Sequence, residues 1–288
     1  MGVTTAELER FATEVGDRDP VTIAGTSTRG GAVAGVRLVA APAGVRWVQA
    51  DEMTVCCGAG TQVGHLEAAL AEVGQRVALP SGGSVGGALS VGRSGPRRLG
   101  DGPLRDTLLQ ALYVSAAGQV VQAGGPTVKN VSGFDLCRLL VGSRGTLGFL
   151  GEVILRTRPL PASSQWFTTP SVAPDDLFRS LYRPTSFLWD GYSVWVLLEG
   201  HPADIDTAAR RHGLAACEGP PPLPGGVTLV APRQVAALRG RFVAEVGVGV
   251  VHGECSVAPD VPRAPAALAR RIKDEFDPTG RLNPGVHV

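Results

Sequence analysis

Residues 128–161 read VKNVSGFDLCRLLVGSRGTLGFLGEVILRTRPLP. A polar Gly turn, a short amphipathic helix, a Gly-Thr-Leu-Gly loop and a β-branched strand follow one another in this single stretch. Glycine permits φ > 0 and close approach of backbone to a ligand. Successive N–H groups in such turns form concave anion sites. A loop of this kind just before a strand can wrap an anionic cofactor while the strand holds it still. The same residues also suit an ordinary tight connection.

Two further runs share the chemistry, GTSTRGG at 25–31 and SGGSVGGALSVGRSG at 81–95. Hydroxyls at Thr26, Ser27, Ser84, Ser94 and Thr146 add donors suited to a dinucleotide pyrophosphate. There is no GKS or GKT, so a phosphate loop is excluded. No clean GxGxxG joins an early strand to a helix, which disfavours a Rossmann site.

The chain has 288 residues, enough for one large domain or two smaller ones. Lys and Arg total 27 against 26 Asp and Glu, which gives no reason to expect nucleic acid or a membrane surface as partner. Gly (39) and Pro (22) make many loops, but 44% apolar residues support a core. The five cysteines, Cys56, Cys57, Cys137, Cys217 and Cys255, show no CxxC spacing and read as small buried residues in a reducing compartment. No apolar run is long enough to span a bilayer, and the first residues lack the apolar core of a secretory signal. A cytoplasmic location is the expectation.

Residues 4–15 carry Leu8, Phe11, Ala12 and Val15 at helical spacing. Strands are expected at 21–24, 36–40, 45–50 and 53–57. A helix is expected over 60–74, with Thr61 as N-cap and Val63, Leu66, Leu70 and Val73 as its apolar stripe. A hairpin turning at Ala117–Gly118 precedes the opening stretch. Beyond Ser163 the texture changes: a strand over 192–199, a helix over 203–212, a stiff loop over 219–226, one strand over 242–251 and a final helix over 264–276.

The opening stretch, taken with VGGALSVGRSGPRR (85–98), GPLRD (102–106), AGGPTVKNVSGFDL (123–136) and the tail FDPTGRLNPG (276–285), resembles the FAD-binding domain of the vanillyl-alcohol oxidase / p-cresol methylhydroxylase superfamily. Within it, the chain is similar to the FAD-binding subunits of bacterial glycolate oxidases. The resemblance is dense over 84–161, weaker over 21–80 and slight over 163–271. It implies an α+β fold of two subdomains with FAD between them and a small α+β cap. The division expected is an FAD domain over 1–161, a reduced cap over 162–271, and a tail over 272–288 returning to the FAD domain.

The resemblance also implies the cofactor contacts. A first pyrophosphate loop maps to Gly25, Thr26, Ser27, Thr28, Arg29 and Gly30, with Ala24-Gly25-Thr26 where the family has three glycines. A second set maps to Ser84, Val85, Gly86 and Gly87 with Gly92, Arg93, Ser94 and Gly95. A third maps to Gly145, Thr146, Leu147 and Gly148, with Val153 and Ile154 on the strand near the adenine end. Arg105 and Asp106 match an Arg-Asp pair that serves either the cofactor or a structural ion pair. Lys129 and Asn130 suit a cofactor-side or a turn-stabilising role, and Arg138 and Arg144 face either the anionic cofactor or solvent.

Oxidation of a 2-hydroxy acid needs a cation for the carboxylate and a base for the hydroxyl. Of His65, His201, His212, His252 and His287, only His252 is a candidate for a pocket, and a weak one. Related D-2-hydroxyacid dehydrogenases carry an HxH metal motif; here His252 is followed by Gly-Glu-Cys, so no metal is expected. The reading is an FAD-dependent oxidoreductase subunit with non-covalent FAD. Hydride would pass from a small 2-hydroxy acid to flavin N5, and electrons onward to a second flavoprotein and an iron–sulphur subunit. The alternative is a non-catalytic or electron-relay subunit that holds FAD.

Overall fold

A computed structural model describes residues 2–126, 135–171, 173–255 and 266–286. The chain divides into two compact units. Unit 1 comprises Met1–Gly95, Pro103–Leu160 and Ala264–Val288, and unit 2 comprises Pro96–Gly102 and Pro161–Arg263.

Unit 1 opens with α1 (Gly2–Val15), whose Leu8, Phe11, Ala12 and Val15 are all buried, as their spacing predicts. Strands β1 (Val21–Ala24) and β2 (Arg37–Ala40) pair in parallel, and the 25–31 loop leaves from the end of β1. Then come β3 (Val45–Gln49), β4 (Thr54–Gly58), α2 (Val63–Ala71), β5 (Gln75–Val77) and α3 (Val85–Val91). A one-turn helix, α4 (Arg98–Asp101), belongs to unit 2. Unit 1 resumes with the hairpin β6 (Leu108–Val114) and β7 (Val120–Gly124), then α5 (Leu136–Leu140) and β8 (Phe149–Pro159). The sheet order is β3-β4-β8-β6-β7, with β5 also on β8. The strand of the opening stretch is therefore the centre of this sheet, antiparallel to β4, β5 and β6. Its Val153 and Leu155 pack in one core with Leu66, Leu70, Val85 and Leu89.

Two local expectations differ from the structure. Thr61 is not the cap of α2; Gln62 holds that position without a side-chain bond. The Thr61 hydroxyl is engaged elsewhere, donating to Gly58 O at 2.6 Å and accepting from Gly44 N at 2.9 Å. Val73 lies past the helix end and is exposed. The run 81–95, read as loop, contains α3. Ser84 caps it by accepting the Gly87 N–H at 3.2 Å, and Gly92 ends it in the left-handed region. The glycines mask the buried face formed by Val85, Ala88 and Leu89.

Unit 2 runs β9 (Ser163–Pro170), α6 (Pro174–Ser180), β10 (Ser186–Trp189), β11 (Ser193–Gly200), α7 (Pro202–Arg211), β12 (Ala215–Cys217), β13 (Val227–Leu229), β14 (Gly240–Glu245) and β15 (Val250–Cys255). Its seven-stranded sheet has the order β12-β9-β11-β10-β14-β15-β13. Phe167, Phe187, Val194 and Val196 from the sheet pack with Ile205 and Ala209 from α7 and with Phe178 from α6. The single strand expected over 242–251 is two strands, because Gly247 and Gly249 both take positive φ and turn the chain back on itself.

The chain then returns to unit 1 as α8 (Ala266–Phe276). Residues 266–271, expected in the cap, go with unit 1, since Ile272 and Phe276 pack on its core. Segment 96–102, expected in the FAD domain, goes with unit 2. Leu99 packs on the core there and Gly100 N bonds Thr185 O at 3.2 Å. The fold class is α+β, as the sequence resemblance implies.

Candidate functional site

A cleft of about 290 Å3 opens in unit 1. The 25–31 loop forms one wall; Ala59, Gly60, Ser84, Gly86, Gly87, Ser90 and Val91 form another; Arg144, Phe149, Leu150, Asn283 and Val286 form the third. Among the described residues, the charged ones that line it are Arg29 and Arg144, with no Asp or Glu. Hydroxyls of Thr26, Ser27, Thr28, Ser84 and Ser90 line it as well. A Cβ built on Gly25, Gly30 or Gly31 would meet nothing within 4 Å, so these backbones border open space.

Arg29 ties the 25–31 loop to residues 80–82. Its guanidinium donates to Gly82 O at 2.8 Å, Pro80 O at 3.0 Å and Ser81 O at 2.7 Å. Burial holds this group below its usual pKa range, yet guanidinium stays charged in proteins. Asn283 braces the third wall against β1. Its Oδ1 accepts from Thr22 Oγ1 at 2.8 Å and Ile23 N at 3.3 Å, and its Nδ2 donates to Arg144 O at 2.7 Å.

Asn283 is itself held by the chain around it. Asp277, 1% exposed, accepts from Lys273 Nζ at 2.5 Å and from the backbone N–H of Leu282 at 2.8 Å and Arg281 at 3.1 Å. Lys273 also donates to Thr146 O at 2.7 Å and Leu282 O at 3.1 Å. The buried Arg281 reaches Asp19 O, Ala116 O and Val15 O. The tail, which the sequence marks only by its likeness to a family ending, is thus a latch that sets one wall of the cleft.

The structure brings Gly25, Thr26, Ser27, Thr28, Arg29, Gly30, Ser84, Gly86 and Gly87 together in the lining. It does not bring the other expected contacts there. Val85, Val153 and Ile154 are core residues. Gly92 caps α3 where a Cβ would meet Gly142 Cα at 2.7 Å. Ser94 accepts from Leu104 N at 2.9 Å, Arg93 is exposed, and Gly95 lies near Pro80. Gly145 packs against Asn283 and Phe149, and Gly148 against Tyr113. Thr146 and Leu147 are buried beside them. Asp106 pairs with Arg138 at 2.9 Å, while Arg105 is exposed. Arg138, left open between cofactor and solvent, also pairs with Asp135 at 3.1 Å. Lys129, Asn130 and His287 lie outside the described residues. Sequence reasoning left Arg144 undecided and missed Ser90, Phe149, Leu150 and Asn283; the LNPG tail was the available signal for Asn283.

His252 sits in unit 2 on β15, with Nε2 2.9 Å from Glu245 Oε1. Glu245 is 2% exposed. His252→Ala would leave this carboxylate buried without its partner, a loss of about 3 kcal/mol. Urea unfolding is expected to show the lower midpoint; an unchanged midpoint would return His252 to the candidate bases. His65 is exposed on α2, and His201 accepts from Ala203 N as the cap of α7. Burial pushes the thiols of Cys57 and Cys137 up to about 12 and about 11, which makes them inert at neutral pH. Among the described residues, no helix is long and apolar enough to cross a membrane, and no group of three or more His, Cys, Asp or Glu could hold a metal ion.

Comparison with known families matches residues 4–124 to the FAD binding domain. This stretch is similar to that domain. It supplies two of the three cleft walls, and the third comes from residues beyond the match. Glycolate oxidase subunit GlcE of Escherichia coli is 34% identical over 223 residues, 72% of this chain and 64% of that protein. A D-lactate dehydrogenase of Archaeoglobus fulgidus is 36% identical over 115 residues, 39% of this chain and 26% of that protein. Glycolate oxidase subunit GlcD of Bacillus subtilis is 38% identical over 82 residues, 28% of this chain and 17% of that protein. The chain thus matches less than two thirds of the length of each of these relatives. A solved structure of alkyldihydroxyacetonephosphate synthase shares the fold, with a TM-score of 0.69 at 13% identity over 97% of this chain and 74% of that one.

Proposed function

We propose that this chain is an FAD-binding oxidoreductase subunit of the glycolate oxidase type, acting in the oxidation of a small 2-hydroxy acid. One observation carries the reading: the stretch similar to the FAD binding domain gives two walls of a cleft whose described lining has two arginines, five hydroxyls and open glycine backbone, and no carboxylate. These residues fit a dinucleotide diphosphate, which asks for cations and N–H or O–H donors. Gly25 to Gly30 and Arg29 would hold the diphosphate, and Ser84, Gly86 and Gly87 the facing side. Ile23, Phe149, Leu150 and Val286 would exclude water. Gly92, Gly145, Gly148, Val153 and Ile154 would act behind the walls, keeping them in register. When bound, FAD supplies the two-electron acceptor for the substrate C–H and passes the electrons on.

A second reading has a specific observation in its favour. Among the described residues, none that lines the cleft is His, Asp, Glu, Lys or Tyr, so these residues offer no general base. In this reading the chain holds FAD and relays electrons while a partner chain, a second flavoprotein with an iron–sulphur subunit, performs the chemistry. Among the described residues the lining has no Cys, which supports non-covalent FAD. Free Cys56, Cys57, Cys137 and Cys217 fit a reducing cytoplasm.

Absorbance of the purified protein tests both readings. A yellow protein whose flavin is released by acid denaturation is expected. A colourless protein that takes up no added FAD would sink the flavoprotein reading. Anaerobic bleaching by glycolate or D-lactate without a partner would sink the relay reading.

A further inference from the structure

Among the described residues, five that are not glycine have positive φ: Ser27, Met53, Arg144, Arg183 and Asn283. Three of them, Ser27, Arg144 and Asn283, line the cleft. Left-handed backbone costs an ordinary residue about 1–2 kcal/mol, and such strain collects where geometry serves a ligand. Arg144 is the informative case. Its φ of 53° is fixed on both sides: its N–H donates to Ser90 O at 2.8 Å, and its carbonyl accepts from Asn283 Nδ2 at 2.7 Å. A glycine would meet this backbone requirement without strain, yet the position carries a long cation. Among the described residues, the guanidinium has no hydrogen-bond or ion-pair partner, in contrast to Arg29, which is occupied by three carbonyls.

We infer that Arg144 is the uncommitted anion ligand of the cleft. Its guanidinium would pair with the phosphates of the bound dinucleotide, and Asn283 and Ser90 act as positioning residues that aim it. Arg29 then serves mainly to strap the 25–31 loop to residues 80–82. This assignment rests on the FAD reading above and deepens it by naming the charged contact.

The test is FAD binding to apoprotein, followed by flavin fluorescence, for wild type, Arg144→Gly and Arg144→Lys. Glycine keeps the backbone conformation, so the urea midpoint of Arg144→Gly is expected to hold or rise. Its FAD affinity is expected to fall about tenfold, the worth of one partly exposed charge-assisted contact. The wild-type affinity should weaken as salt is raised to 0.5 M, and the Gly variant should show a flatter dependence. Lysine should restore part of both. Wild-type affinity in Arg144→Gly, or a loss with unchanged salt dependence and no rescue by lysine, would overturn the assignment. Failure of the wild type to bind FAD would instead remove the flavoprotein reading itself.

Discussion

Gly25→Val is expected to abolish FAD retention while leaving the urea midpoint of unfolding unmoved. A Cβ at Gly25 meets no heavy atom within 4 Å and the residue lines the cleft. The new side chain would therefore occupy ligand space and nothing else. A surface change of this kind shifts stability by about 0.5 kcal/mol or less. Displacing a diphosphate from two backbone donors forfeits about 3 kcal/mol or more, at least a hundredfold in affinity. Gly145→Val is expected to behave differently. Its φ is 70°, and a Cβ would lie 2.7 Å from Asn283 Nδ2 and 3.2 Å from the Phe149 ring. Left-handed strain and overpacking together cost about 2–5 kcal/mol, so midpoint and flavin should fall together. Equilibrium unfolding beside flavin absorbance separates the two cases. If Gly25→Val kept its flavin, the 25–31 loop would not be the cofactor wall.

The second large effect is expected at Asp277. Asp277→Ala would strip Lys273 of its carboxylate and leave the N–H groups of Arg281 and Leu282 without their acceptor. Removing one partner of such a buried pair costs about 3–5 kcal/mol. The consequence should reach the cleft, because Asn283 follows directly and braces both Ile23 and Arg144. A lower urea midpoint, loss of flavin and faster proteolysis of residues 277–286 are the expected results. An unchanged midpoint would show that the latch contributes nothing to the fold.

Where side-chain period decides structure, the sequence was legible. The α1 stripe, strand β1, the β6–β7 hairpin and the central strand β8 all follow from it. Glycine-rich segments were legible as to place and not as to role. Gly25 and Gly30 border open space, whereas Gly92 and Gly145 are glycine because neighbouring chain leaves no room for a Cβ. Sequence cannot separate these, since both needs select the same residue. Asn283 escaped notice for another reason: its partners Thr22, Ile23 and Arg144 are far from it in the chain. His252 drew attention as a lone His after a strand, and only the fold reveals Glu245 beside it.

The latch also fixes an order of assembly. Residues 25–31, 84–91 and 144–150 leave the ribosome well before Asn283, and residues 161–263, all of unit 2 but its 96–102 segment, are made in between. The intervening unit can therefore fold while its host still lacks a wall, the reverse of the usual N-terminal-first sequence. Flavin loading would then be a late event in biogenesis, and a nascent chain stalled after residue 263 has emerged and before Asn283 has done so would carry a folded insert but no finished cleft.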